Sequence, residues 1–175
     1  MRAGTRTGYA TWAWVLFFIA FHVYWYLGGR FGHPSPLPEV SFDVFGVVVT
    51  AMFVVGAVIP LAAVQSWGRV IPHWLLVAAL WTGCAVLTLR GLAGILDDVL
   101  RTTGLGPGGL TGLTIEQVTG TAHPGPDIIW SGRATDACFT LGGLLFGLTA
   151  RATRAPEPPE AQERRASGRA AHTRR

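Results

Sequence analysis

The sequence predicts an all-α fold, a four-span transmembrane helical bundle followed by a disordered, basic C-terminal tail. Three observations carry this reading. Half of the 175 residues are hydrophobic and only 14% are charged, against roughly a quarter charged in ordinary globular domains. Charge is absent from Tyr9 to Gly29, from Val44 to Gly68 and from Val70 to Leu89, and each gap is long enough to cover the roughly 20 helical residues that cross a hydrocarbon core. Much of the remaining charge collects at one end: from Arg151 onward there are seven arginines, three glutamates and no apolar periodicity, a composition that buries too little apolar surface to fold.

Residues 1–9 read as a cytoplasmic N-terminus and residues 10–150 as the membrane domain. The first span covers about 10–27. Arg2 and Arg6 ahead of an apolar run imitate a signal peptide, but the run continues to Leu27 and no small-x-small cleavage motif follows, so this helix is expected to be retained. Tyr24, Trp25 and Tyr26 fit an interfacial aromatic belt. Gly28, Gly29 and Gly32, then Pro34, Pro36 and Pro38, end the helix and predict a loop from Arg30 to Asp43. The second span, about 44–64, carries Pro60 near its end. A short connection through Gln65 to Pro72 makes the third span, about 74–96, its antiparallel neighbour.

The fourth span is placed by length. Its uncharged stretch, Ala137 to Ala150, is too short to cross, so the span extends back to about residue 128 and brings Asp136 into the bilayer. In the long Gly- and Thr-rich loop before it, Thr114-Ile-Glu-Gln117 fits a capping box opening a short helix. Residues 151–175 form the tail.

Arginine placement gives the orientation. Arg2, Arg6, Arg69 and the tail lie on one side, with Arg30 and Arg101 in the opposite loops, which puts both termini in the cytoplasm. The fourteen cations are all arginine, the coding bias of a GC-rich genome, and the expected location is a bacterial cytoplasmic membrane. Cys84 and Cys138 lie in apolar stretches without metal-ligand or redox spacing and read as small buried hydrophobes. No folded basic module stands outside the membrane, which excludes nucleic acid as a partner despite the pI of about 9.8. No internal repeat of the kind that builds secondary transporters is visible.

Three ionisable residues from different spans fall at one depth. At 1.5 Å per residue, His22 lies roughly 4 to 5 Å, Asp136 about 6 Å and Arg90 roughly 7 to 8 Å outward of the midplane. A lone charge there costs at least about 2.5 to 3.5 kcal/mol, so Arg90 and Asp136 should face the interior and each other. His22, Arg90 and Asp136, with Tyr26, Asp97, Asp98 and Arg133, form the candidate intramembrane polar site. The opposing interpretation is a purely structural Arg90–Asp136 bridge, with Arg133 reaching the outer interface and His22 hydrogen-bonding across helices. Asp136, Thr140, Gly143 and Gly147 share one face of the fourth span, and Gly83, Arg90, Gly94 and Asp97 a face of the third. Gly83, Gly94, Thr140, Gly143 and Gly147 are therefore expected to pack helices closely, either these two or those of a second copy or a membrane partner.

Phe21-His-Val-Tyr-Trp-Tyr-Leu-Gly-Gly-Arg-Phe-Gly32, Leu89-Arg-Gly-Leu-Ala-Gly94 and Asp136 ahead of a Gly-rich helix resemble the small bacterial membrane proteins grouped as domain of unknown function 3995. The His-x-x-Trp-x-x-Gly-Gly block is the most specific part, and the resemblance runs from about Ala10 to Ala150. Where the family pattern has a Tyr-x-Pro-Leu-like turn after the last acidic residue, this chain has Phe139-Thr-Leu-Gly142. The resemblance implies a four-helix membrane fold and no assigned activity.

The functional expectation is thus a non-enzymatic polytopic membrane protein with the lipid bilayer as its partner, anionic lipid as a candidate ligand of the tail, and no catalytic, cofactor-binding or metal-binding residues. The alternatives are a small transporter or ligand-binding protein using His22, Arg90 and Asp136, and, behind it, a membrane-embedded enzyme acting on a lipid or quinone with His22 as acid or base.

Overall fold

In the computed structural model the described residues are 3–29, Phe31 and 44–153. They form helices and turns with no strand among them: α1 (Ala3–Tyr26), α2 (Val44–Ala62), a 3-10 turn (Ser66–Val70), α3 (His73–Thr103), the short α4 (Ile115–Thr119) and α5 (Pro126–Ala152). Most of the predicted loop from Arg30 to Asp43, and the tail beyond Thr153, lie outside the described residues.

α1, α3 and α5 outrun the apolar stretches that announce them, whereas α2 stops at Ala62, two residues short of its expected span. α1 begins at Ala3 rather than near Ala10, and α3 continues to Thr103 rather than stopping near Leu96. Apolar runs mark the length that must avoid water, whereas a helix persists until a capping residue stops it. Asp97, Asp98 and Arg101 are accommodated in the last turns of α3, which ends at Gly104 in the left-handed conformation (φ 73°). α5 starts two residues before the expected span, with Pro126 in the first turn where a missing N–H costs nothing. α4 is opened by the expected capping box: the Thr114 hydroxyl accepts from Gln117 N, and Gln117 Oε1 accepts from Thr114 N.

α5 is the central element. It packs most extensively on α3 and next on α1, while α1 packs on α2. The pairings are antiparallel. Gly4 of α1 abuts Ala152 of α5, Phe18 meets both Phe139 of α5 and Phe53 of α2, and Arg90 of α3 reaches Asp136 of α5. The buried core is small: Trp14, Val15, Ala62, Leu76, Leu80, Phe146 and Ala150. At the end where α1 begins and α5 finishes, the buried hydroxyls of Thr11 and Thr149 are 2.7 Å apart, and Thr11 also donates to the Leu145 carbonyl at 3.0 Å. Every buried hydroxyl at that seam therefore has a partner, as the cost of an unsatisfied buried group requires. Among the described residues, α3 is the one helix long and apolar enough to cross a membrane by length and composition.

Candidate functional site

The site rests on the α3–α5 seam, and the seam rests on absent side chains. A Cβ on Gly83 would stand 2.7 Å from the Phe146 ring, one on Gly143 2.7 Å from the Thr88 backbone nitrogen, and one on Gly147 2.9 Å from the Cys84 sulphur. At Gly91 the obstruction is backbone, with Thr140 N at 2.6 Å and the Asp136 carbonyl at 2.7 Å. At Gly94 the Asp136 carboxylate itself occupies the place of the missing side chain. The two helices can approach this closely because each glycine sits opposite a group of the other helix. Gly83, Gly94, Thr140, Gly143 and Gly147 are thus engaged within one chain.

Three ion pairs lie toward the end of this seam where α3 finishes and α5 begins. Arg90 Nη1 donates to Asp136 Oδ1 at 2.7 Å, and its guanidinium lies over the Phe139 ring at 5.1 Å from the centroid. Asp136 is nearly buried, its side chain 12% exposed, whereas the Arg90 side chain is 52% exposed. Arg133 bridges to Asp98 through Nε (2.9 Å) and Nη2 (3.3 Å) and stacks over Trp130. Arg101 pairs with Asp97 one turn earlier on α3, through Nε at 2.7 Å and Nη2 at 3.4 Å.

The last pair also organises the loop that follows. Arg101 donates to the carbonyls of Leu113 (2.8 Å), Gly108 (3.2 Å) and Pro107 (3.4 Å), while Asp97 Oδ1 accepts the Leu110 N–H at 2.6 Å. Gly109, with φ 61°, adopts the left-handed turn that lets the loop close over these two side chains. The Asp97–Arg101 pair and its bonds to the loop are what the sequence analysis missed. The i,i+4 spacing was readable, but the carbonyls that Arg101 collects leave no side-chain signature. Gly91 was missed too, although its position between Gly83 and Gly94 offered the same spacing signal.

His22 stands apart from the ion pairs. Its Nδ1 is 2.8 Å from the Phe18 carbonyl of its own helix, and its ring packs against Phe18, Trp25 and Phe53. Phe18 and Phe139 intervene between it and Arg90, so the structure gathers Arg90 and Asp136 but leaves His22 in an aromatic cluster. Tyr26 is the last residue of α1, and its side chain lies outside the described residues. Trp25 and Tyr24 hold the chain just beyond α1: Trp25 Nε1 donates to the Phe31 carbonyl at 2.9 Å, and the Tyr24 hydroxyl accepts from Phe31 N at 3.3 Å. No group of three or more His, Cys, Asp or Glu able to hold a metal ion occurs among the described residues.

An all-helical protein whose ion pairs gather along a glycine seam is the class these features define. Within that class, the family model described as protein of unknown function (DUF3995) matches residues 15–146, and the chain belongs to that family. The match begins in α1 and ends within α5, so it takes in all three ion pairs and most of the seam. No curated protein and no solved structure gives a significant match.

Proposed function

We propose that this is a non-enzymatic, four-span protein of the bacterial cytoplasmic membrane that holds a small anionic group against Arg90. The spanning helices would be α1, α2, α3 and α5. At about 1.5 Å per residue, α1 and α5 are about 36 and 40 Å long, and the uncharged α2 about 28 Å, against a hydrocarbon core of about 30 Å. Their outward faces support immersion in lipid, since Met52, Val55, Trp81, Leu89, Leu141 and Leu144 are all exposed and water-soluble surfaces rarely present contiguous apolar areas of that extent. Antiparallel neighbours fit alternate crossings, and the arginine distribution supports cytoplasmic termini.

One observation carries the binding reading. Asp136 is buried and fixes one edge of the Arg90 guanidinium, yet half of the Arg90 side chain stays exposed, and its other N–H groups have no hydrogen-bond partner among the described residues. A guanidinium offers five donors in a planar fork suited to carboxylate or phosphate oxygens. The group it holds would be phosphate-like or carboxylate-like, from a lipid head group or a free anion.

The test is thermal unfolding in neutral detergent with added phosphatidylglycerol, phosphatidylcholine or inorganic phosphate. The expected result is a rise in Tm of several degrees with phosphatidylglycerol alone, lost in Arg90→Gln, which keeps the basic tail and so controls for it. An equal response to inorganic phosphate would assign a free anion. Identical responses of wild type and Arg90→Gln would sink the binding reading in favour of a structural bridge, the second reading, which the burial of Asp136 against Gly94 supports.

A further inference from the structure

We infer that the connection between α3 and α5, residues 104–125, is a preformed interfacial element that seats its apolar side chains in the outer lipid leaflet. This rests on the membrane reading above but not on the Arg90 site. The connection is inverted relative to a water-exposed loop. Its polar anchors, the side chains of Arg101 and Asp97, are 13% and 22% exposed, while Leu105 is 81% exposed and Leu110, Leu113, Ile115 and Val118 also face outward.

The segment has defined structure. Arg101 gathers three of its carbonyls, Asp97 takes the Leu110 N–H, and the capping box opens α4. Its leucines are therefore displayed by a scaffold that satisfies part of its own backbone internally, which lowers the cost of approaching hydrocarbon.

Two further observations select lipid as the occupant. Glu116 is the sole Asp, Glu, Lys or Arg from Gly104 to Gly125, so seating the segment desolvates little charge. It also joins the end of α3 to the start of α5, which on the membrane reading places it at the edge of the acyl region. Amphipathic elements of this kind bury their apolar side roughly 5 to 10 Å into the headgroup boundary.

The experiment uses full-length protein with Cys84→Ala and Cys138→Ala, reconstituted in phosphatidylcholine vesicles. A bimane label is placed at Leu110→Cys, at Leu105→Cys, or at Val86→Cys on the exposed face of α3. Quenching by shallow and deep nitroxide lipids is compared with quenching by aqueous iodide. The expected result is that labels at 105 and 110 are quenched at least twofold more by the shallow lipid than by the deep one and are shielded from iodide, while the label at 86 responds to the deep lipid. Iodide quenching at 105 and 110, with 86 still quenched by lipid, overturns the inference and leaves the membrane reading standing. Shielding of 105 and 110 from both iodide and lipid, relieved by diluting the protein in the vesicles, also overturns it and assigns the surface to a second copy. Failure of lipid quenching at all three positions removes the membrane reading, and the inference with it.

Discussion

Arg90 and Arg101 lie on one helix, eleven residues apart, which at 3.6 residues per turn is about three turns and nearly the same face of α3. They are used in opposite ways. Arg101 donates to both oxygens of Asp97 and to three loop carbonyls, and its side chain is largely covered. Among the described residues Arg90 makes one hydrogen bond, to a carboxylate on another helix, and stays half exposed above an aromatic ring. An arginine serving architecture has its donors occupied. Of these two, Arg90 is the cation with donors left over among the described residues, which the position of either residue in the sequence does not reveal.

The largest expected effect removes the ground on which the comparison stands. Gly91→Val would drive a branched side chain into the Thr140 and Asp136 backbone, and overpacking of this kind costs about 3 kcal/mol or more where backbone must move. Thermal unfolding in detergent should show loss of the cooperative transition. Wild-type behaviour would mean that the α3–α5 seam is not close-packed.

Next, Arg101→Met should destabilise by about 2 kcal/mol, because it strips a charged hydrogen-bonding group from Asp97 and from three carbonyls. Hydrogen exchange should accelerate across residues 104–114 while the middle of α3 stays protected. Uniform acceleration would show that Arg101 supports the whole protein rather than its loop.

The charge-exchange cycle sharpens the Arg90 side. Arg90→Asp and Asp136→Arg should each lower Tm by several degrees, about 1 to 3 kcal/mol, and the double exchange should recover part of the loss. Recovery confined to the double variant demonstrates the coupling; additive losses would show that the two charges act independently. Arg90→Gln should have the smallest effect, about 1 kcal/mol, because the glutamine amide can still donate to Asp136 where the reversed charge would repel it. A larger loss in that variant would make Arg90 as architectural as Arg101.

How far the sequence foretold this arrangement depends on what sets each feature. Long uncharged stretches sufficed to find α1, α2 and α3, a shorter one extended back by length found α5, and Thr114 with Gln117 found the start of α4. Helix ends were not legible, because Asp97, Asp98 and Arg101 interrupt an apolar pattern without interrupting a helix. The meeting of Arg90 with Asp136 followed from matched depth and opposite charge. The placement of His22 did not, since depth places a residue along a helix and says nothing of which rings surround it. Thr11 and Thr149 gave no signal either, each being a single hydroxyl whose value depends on the other's position.

The antiparallel seam also orders events in time. Asp136 lies 46 residues after Arg90, so during synthesis at about 5 to 20 residues per second the guanidinium exists for roughly two to nine seconds before its carboxylate has been made. On the membrane reading, α3 must enter or wait beside lipid with that charge unpaired, and α5 completes the neutralisation when it arrives. Assembly would then proceed by late capture of a helix already in place, and truncation before Asp136 should leave a nascent chain with α3 poorly retained in the bilayer.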